Sequence, residues 1–327
     1  MGSYGFPRPH ESSVLPAAPP RARELSLVPV HRGYLDALGL FTVAFGAYAI
    51  LSIGTCLHLL GGPDLPGIYG WNPNAISVTT GSLWIAAVVS GHDQRTVARR
   101  AIVGLAIITA GLAGWNVHST AWPDELWDVL AVIVCVGLFL LLAHHRGVEP
   151  RGLGIAPRWA ANRIGRRQVV SVAIISAAGQ YASAYAGYFI ATSLPWLPEG
   201  GSKASTVHGL TLAVHMTAAS IIEETVLVAG VVTALEAARR PAWQIYALYL
   251  AMRLSFHLYY GSRVVEVMIF AAVNLWLFRR TRRLTPLIIA HIVYDTSAAF
   301  GGGSAAPAIY LVGFYSLIAL TISALVV

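Results

Sequence analysis

Two adjacent glutamates, Glu223 and Glu224, lie inside a long apolar run, AVHMTAASIIEETVLVAGVVTAL. Downstream runs carry Arg253 and His257 in AMRLSFHLYYG, then His291 and Asp295 in PLIIAHIVYDTSAAF. A charge at the centre of a membrane helix costs roughly 2.5–3.5 kcal/mol on insertion scales. Glu223, Glu224, Arg253 and Asp295 together would cost on the order of 10 kcal/mol if unpaired, comparable to the roughly 5–15 kcal/mol that holds a domain folded. Such residues must face one another or a wet cavity, and they are functional candidates by default.

The spacing limits the chemistry. Consecutive residues of an α-helix point about 100° apart, so the two glutamates are expected to face different directions, one towards a cavity and one towards a neighbouring helix. Arg253 and His257 are four residues apart, on one helix face, and His291 and Asp295 repeat that spacing. General-base hydrolysis needs a carboxylate and an imidazole on one water, with donors for the developing oxyanion. Glu223 with His257 could activate the water, and His291 with Asp295 could bind the substrate carbonyl. An ionised Asp295 cannot donate; it would have to be protonated, or instead orient His291. The other route is a metal. Zinc held by Glu223, His257 and His291 would activate the water instead, although no HExxH is present and no two of these residues have a dedicated zinc spacing. Spacing alone leaves both routes open, so no cofactor is fixed.

The helices that must hold these groups are legible in the composition. The chain of 327 residues is 56% hydrophobic and 11% charged, with mean hydropathy +0.63; soluble domains carry about 25% charge. A span needs about 20 apolar residues, and ten segments qualify: about 35–60, 75–91, 100–117, 126–144, 169–194, 206–235, 242–259, 262–279, 284–300 and 306–327. The second and third are short, so eight to ten spans are expected. The fold class is thus an all-α polytopic membrane protein, a bundle of about 8–10 transmembrane helices. Of the 22 Lys and Arg, 19 fall in alternate loops, two in the others and Arg253 within a span. By the positive-inside rule both termini are cytoplasmic, in a multi-pass protein of the plasma membrane. The net charge of +7 therefore belongs to membrane orientation; no basic patch interleaved with aromatics suggests nucleic acid. The partner implied by this composition is the lipid bilayer.

Residues 1–33 hold proline and charge without an apolar signal core and read as a disordered cytoplasmic tail. Residues 34–204 read as N-terminal transmembrane helices with a basic cytoplasmic loop near 145–168, in part interfacial. Residues 205–327 read as the catalytic core. Cys56 and Cys135 lie in apolar runs and read as packing residues. Trp71, Trp84, Trp122, Trp127, Trp196, Tyr259 and Tyr260 read as an interface belt. His208 and His215 read as packing or polar lining, Glu266 as a snorkelling partner of Arg263, and Asn274 as interhelical glue.

The order EETVLVAG (Glu223 to Gly230), RLSFHLYYG (Arg253 to Gly261) and HIVYD (His291 to Asp295) resembles the CPBP family: CAAX prenyl proteases and bacteriocin-processing enzymes, also called Abi proteins. The resemblance spans about residues 205–300. It implies an intramembrane endopeptidase acting on a peptide or protein substrate in the membrane, in which Glu223 and His257 activate water, His291 and Asp295 line the oxyanion site, and Glu224 plays a structural part. Two departures stand out. The arginine usual after the glutamates is Val228, and the phenylalanine usual four residues before the second-motif histidine is Arg253. Arg253 is therefore expected to neutralise Glu224 from the neighbouring helix. Asp295 stands where asparagine is commoner. The Arg-rich single chain with short loops looks bacterial. Two rival functions remain: a catalytically inactive membrane scaffold or immunity protein of the same fold, and a proton-coupled transporter using Glu, His and Asp as a relay. Against the transporter, no internal repeat is visible. A protease needs its groups converging on one point; a relay needs them strung along a path.

Overall fold

The computed structural model describes residues 30–63, 71–91, 97–115, 117, 123–146, 148, 153, 163–193 and 209–300. They form α1 (Val30–Leu59), α2 (Pro73–Ser90), α3 (Val97–Trp115), α4 (Asp124–His145), α5 (Arg163–Ser193) and α6 (Gly209–Ile222). α6 runs directly into a π-helical segment (Glu223–Val231) and α7 (Val232–Ala237). Then come α8 (Ala242–Ser255), a 3-10 turn (Leu258–Tyr260), α9 (Val264–Thr281) and α10 (Leu284–Phe300). Nine of the ten apolar segments are thus helical, and the tenth lies outside the described residues. The chain is an all-α polytopic membrane protein. Among the described residues, four continuous helical stretches are long and apolar enough to cross a bilayer: His31–Leu59, Asp124–His145, Arg167–Ser193 and Thr211–Ala237. Large apolar side chains such as Leu105, Ile133 and Phe189 point outward, as lipid contact requires.

The span expected over 242–259 is corrected. α8 ends at Ser255 after 14 residues, about 21 Å at 1.5 Å per residue, short of a hydrocarbon core about 30 Å thick. The chain then turns through Phe256 and His257 into Leu258–Tyr260 and leaves by Gly261, whose φ of 60° and ψ of −130° suit a residue without Cβ. The break sets His257 on a turn rather than inside a helix.

The π-helical segment is the hub. All nine of its residues are buried, and it packs against α1, α4, α6, α7, α8, α9 and α10. Around it, α2 packs on α1, α3 and α4, while α5 packs on α9 and α10. The first five helices thus form no separate body from the core that holds the glutamates. α1 begins at Val30, inside the segment 1–33 read as a tail. Gly33 is buried against α7, where an added Cβ would lie 2.3 Å from Ala238 Cβ and 2.8 Å from the Ala234 carbonyl oxygen. Backbone cannot yield as a side-chain tip can, so Gly33→Val is expected to cost about 1–3 kcal/mol, read as a lower unfolding midpoint in detergent. An unchanged midpoint would mean that α1 and α7 do not meet this closely. Residues 1–29 and most of 145–162 lie outside the described residues, and with them the disorder expected of the tail and the interfacial stretch expected of the basic loop. α5 starts at Arg163, six residues before the span anticipated there.

One interface-belt assignment is also corrected. Trp127 is 1% exposed and sits in the core. Tyr259 and Tyr260 stack beside His257, with ring centroids 6.2 and 5.6 Å from it. Tight packing of α4 decides the case of Trp127 over the preference of aromatic rings for headgroups. Trp122 and Trp196 lie outside the described residues.

Candidate active site

The π-helical segment presents its first two residues to different neighbours. Glu223 faces α8: its Oε2 lies 2.5 Å from Nη2 of Arg253. Glu224 faces α9 and α10: its Oε1 accepts from Nδ2 of Asn274 at 3.1 Å and from Nδ1 of His291 at 2.9 Å. The expectation that Arg253 neutralises Glu224 is therefore corrected. α8 flanks the Glu223 side, and α9 and α10 fill the Glu224 side with their own donors. Val228 is fully buried among apolar neighbours.

His291 ties the two glutamates together. With Nδ1 on Glu224, its Nε2 lies 3.8 Å from Glu223 Oε2 and 3.4 Å from Asp295 Oδ2. Both glutamates thus flank one imidazole, although they point apart on their own helix, because the ring's two nitrogens lie on different edges. Asp295 Oδ2 is also 3.0 Å from the Ser220 hydroxyl of α6. Behind Glu224 the polar chain continues: Asn274 Oδ1 accepts from the Ser176 hydroxyl of α5 at 2.7 Å. Asn274 is thus interhelical glue, as its sequence setting suggested. Glu224, Asn274 and Ser176 are 0% exposed, and partners of this kind are what makes a buried carboxylate tolerable.

His257 is 8% exposed. Its Nδ1 lies 3.0 Å from the carbonyl oxygen of Arg253. A carbonyl only accepts, so Nδ1 carries the proton and Nε2 of the neutral ring is left as a base. Phe256, Tyr259 and Tyr260 surround the ring. Among the described residues no hydrogen bond or ion pair joins His257 to Glu223; their link runs through Arg253, which holds Glu223 with its side chain and His257 with its backbone.

The zinc set does not fit. Among the described residues no three His, Cys, Asp or Glu side chains gather to hold a metal ion. A guanidinium sits on Glu223 Oε2, and His291 spends Nδ1 on Glu224.

Some residues of the site carry no sequence signal. Ser220 also reaches the Met216 carbonyl one turn back, which a helical serine does anywhere, so its place beside Asp295 emerges only in three dimensions. Phe270 of α9 meets His291 edge-on at 4.8 Å and lies 5.4 Å from the Arg253 guanidinium. A second polar network lies between α1, α2, α4 and α6. The Tyr48 hydroxyl donates to Asn74, whose Nδ2 donates to buried Asp128 at 2.7 Å, and His215 Nδ1 lies 3.2 Å from the same oxygen. His215 is therefore a polar partner to α4; His208 lies outside the described residues. Glu266 forms the ion pair with Arg263 at 3.0 Å that its spacing suggested, and it also accepts from the Tyr294 hydroxyl.

A bundle with buried carboxylates, imidazoles and a guanidinium at its hub is a polytopic membrane protein built around a cluster of ionisable side chains. Residues 206–297 match the family model described as type II CAAX prenyl endopeptidase, Rce1-like. This segment is thus similar to the CAAX-protease family, in keeping with the resemblance carried by the three motifs. The match takes in every residue of the cluster except Ser176 and leaves the first five helices outside it. Neither the curated proteins nor the solved structures provide a match.

Proposed function

We propose that the protein is an intramembrane endopeptidase that hydrolyses a peptide bond of a membrane-associated substrate, with Glu223 as the general base. The observation that carries this reading is the convergence of Glu223, Glu224, Arg253, His291 and Asp295 through contacts of 2.5–3.8 Å, within the segment that matches the protease family. Both contacts to Glu223 use Oε2, so Oε1 is the oxygen left to a water. Nε2 of His257 is the second base beside it. His291 and Asp295 border the position of the substrate carbonyl. The arginine-rich ends of the bundle lie on the cytoplasmic side, and the family name makes a prenylated CAAX peptide the first substrate to try.

A proton relay fits less well, because these groups cluster at one point. The inactive-scaffold reading leaned on Val228, and Arg253 returns a guanidinium to the site. The test compares peptide termini in membranes of cells expressing wild type or Glu223→Ala at equal abundance. New termini only with wild type support the endopeptidase. Identical termini from two equally folded proteins would favour the scaffold.

A further inference from the structure

The site has an acceptor surplus where hydrolysis needs donors. As the amide carbonyl becomes tetrahedral its oxygen takes negative charge, and donors aimed at that charge are commonly the largest single contribution to such catalysis. Asp295 meets the Ser220 hydroxyl and His291 through its carboxylate Oδ2, and an ionised carboxylate only accepts. Arg253 is different. Its side chain is 1% exposed, and only its Nη2 holds Glu223. Nε and Nη1 are buried without a hydrogen-bond partner among the described residues. Phe256 and Phe270 lie near the guanidinium, with centroids 5.8 and 5.4 Å away. The rings supply no acceptor to the in-plane N–H groups. A buried charged group with unused donors costs free energy unless something fills them. These donors flank Glu223, and the carbonyl of Arg253 itself fixes His257.

We propose that Arg253 is a catalytic residue, donating its unused guanidinium N–H groups to the oxyanion of the tetrahedral intermediate. This rests on the endopeptidase reading. In the step, Glu223 takes a proton from water and the water oxygen bonds to the carbonyl carbon. The carbonyl π pair moves to oxygen, and the Arg253 N–H groups donate hydrogen bonds to that oxyanion. Collapse then breaks the C–N bond, and the leaving nitrogen takes the proton back from Glu223. Arg253 stays protonated throughout. In this chain the arginine does work that a neutral amide in the place of Asp295 could otherwise share.

The test uses the full chain in nanodiscs and two probes. One is a farnesylated CAAX peptide; the other is the same peptide with a phosphinate replacing the amide after the cysteine, a tetrahedral anion. Binding is measured in Glu223→Gln, then with Arg253→Lys and Arg253→Met added, after thermal unfolding confirms folded protein. Loss of one oxyanion donor costs about 10²–10³-fold, so Arg253→Met should weaken the phosphinate by about that factor and the amide by less than about threefold. Lys keeps the charge but not the fork of donors, so Arg253→Lys should recover only part of the binding. Equal losses for both probes, full recovery by Lys, or no phosphinate preference in Glu223→Gln would overturn the assignment. Cleavage of the amide by wild type is scored separately. Cleavage with an Arg253-independent phosphinate sinks the assignment and leaves the endopeptidase. Arg253-dependent phosphinate binding without cleavage sinks the endopeptidase and leaves an anion site.

Discussion

Glu223→Gln is expected to lower kcat/KM for peptide cleavage by about 10²–10⁴-fold, the contribution typical of a positioned general base. The amide keeps the shape of the side chain but has no basic oxygen with which to take a proton. The loss should fall on kcat, because the carboxylate acts on the water and makes its difference in the transition state. His257→Ala should cost less. Its ring is held through the Arg253 carbonyl and makes no bond to Glu223, so it assists the water without holding the base. Groups that act on one water are not additive, and the double variant should be little worse than Glu223→Gln alone. Steady-state kinetics on purified, folded protein decides the matter. A Glu223→Gln variant within about threefold of wild type would remove Glu223 from the chemistry. A multiplicative double variant would mean that His257 acts in a separate step.

Much of the site could be read from the sequence because charge inside an apolar run is costly and therefore conspicuous. Glu223, Glu224, Arg253, His291 and Asp295 stand out for that reason, and the structure joins them. His257 stands out in the same way, yet its position on a turn does not. The run AMRLSFHLYYG has no helix breaker before Gly261, so hydropathy reads straight through the end of α8. What Arg253 pairs with depends on how α8 sits against the π-helical segment. Nothing in the spacing of α-helical residues anticipates nine residues of π-helix at that point. Aromatic residues near the ends of apolar runs are ambiguous for a related reason. Trp127 and a headgroup-anchoring tryptophan have the same local sequence setting, and only the packing of α4 separates them. Serines 176 and 220 are small hydroxyls of the kind found in any membrane helix. Their bonds to Asn274 and Asp295 belong to the tertiary fold alone.

The pairing of Arg253 with Glu223 also makes a stability prediction of unusual sign. Arg253→Met leaves a carboxylate in a site 9% exposed, and breaking a buried ion pair from one side costs about 3–5 kcal/mol. Glu223→Gln strands the guanidinium instead. That cost should be smaller, because the nearby Phe256 and Phe270 rings can offset a desolvated cation by about 0.5–2 kcal/mol. The double variant, Glu223→Gln with Arg253→Met, has no charge left to strand and replaces the guanidinium by an apolar chain. Replacing a buried pair by apolar groups is often neutral or stabilising, so the double variant should recover most of what the single variants lose. Unfolding free energies in detergent for the four proteins close the cycle, with a coupling of at least about 2 kcal/mol expected for two groups in direct contact. Additive losses would mean that the 2.5 Å contact is not a stabilising pair in the membrane. Activity should not return in the double variant, since both the base and the proposed oxyanion donor are gone. Recovery of the fold without recovery of cleavage is therefore the result that separates what the pair does for stability from what its members do for the reaction.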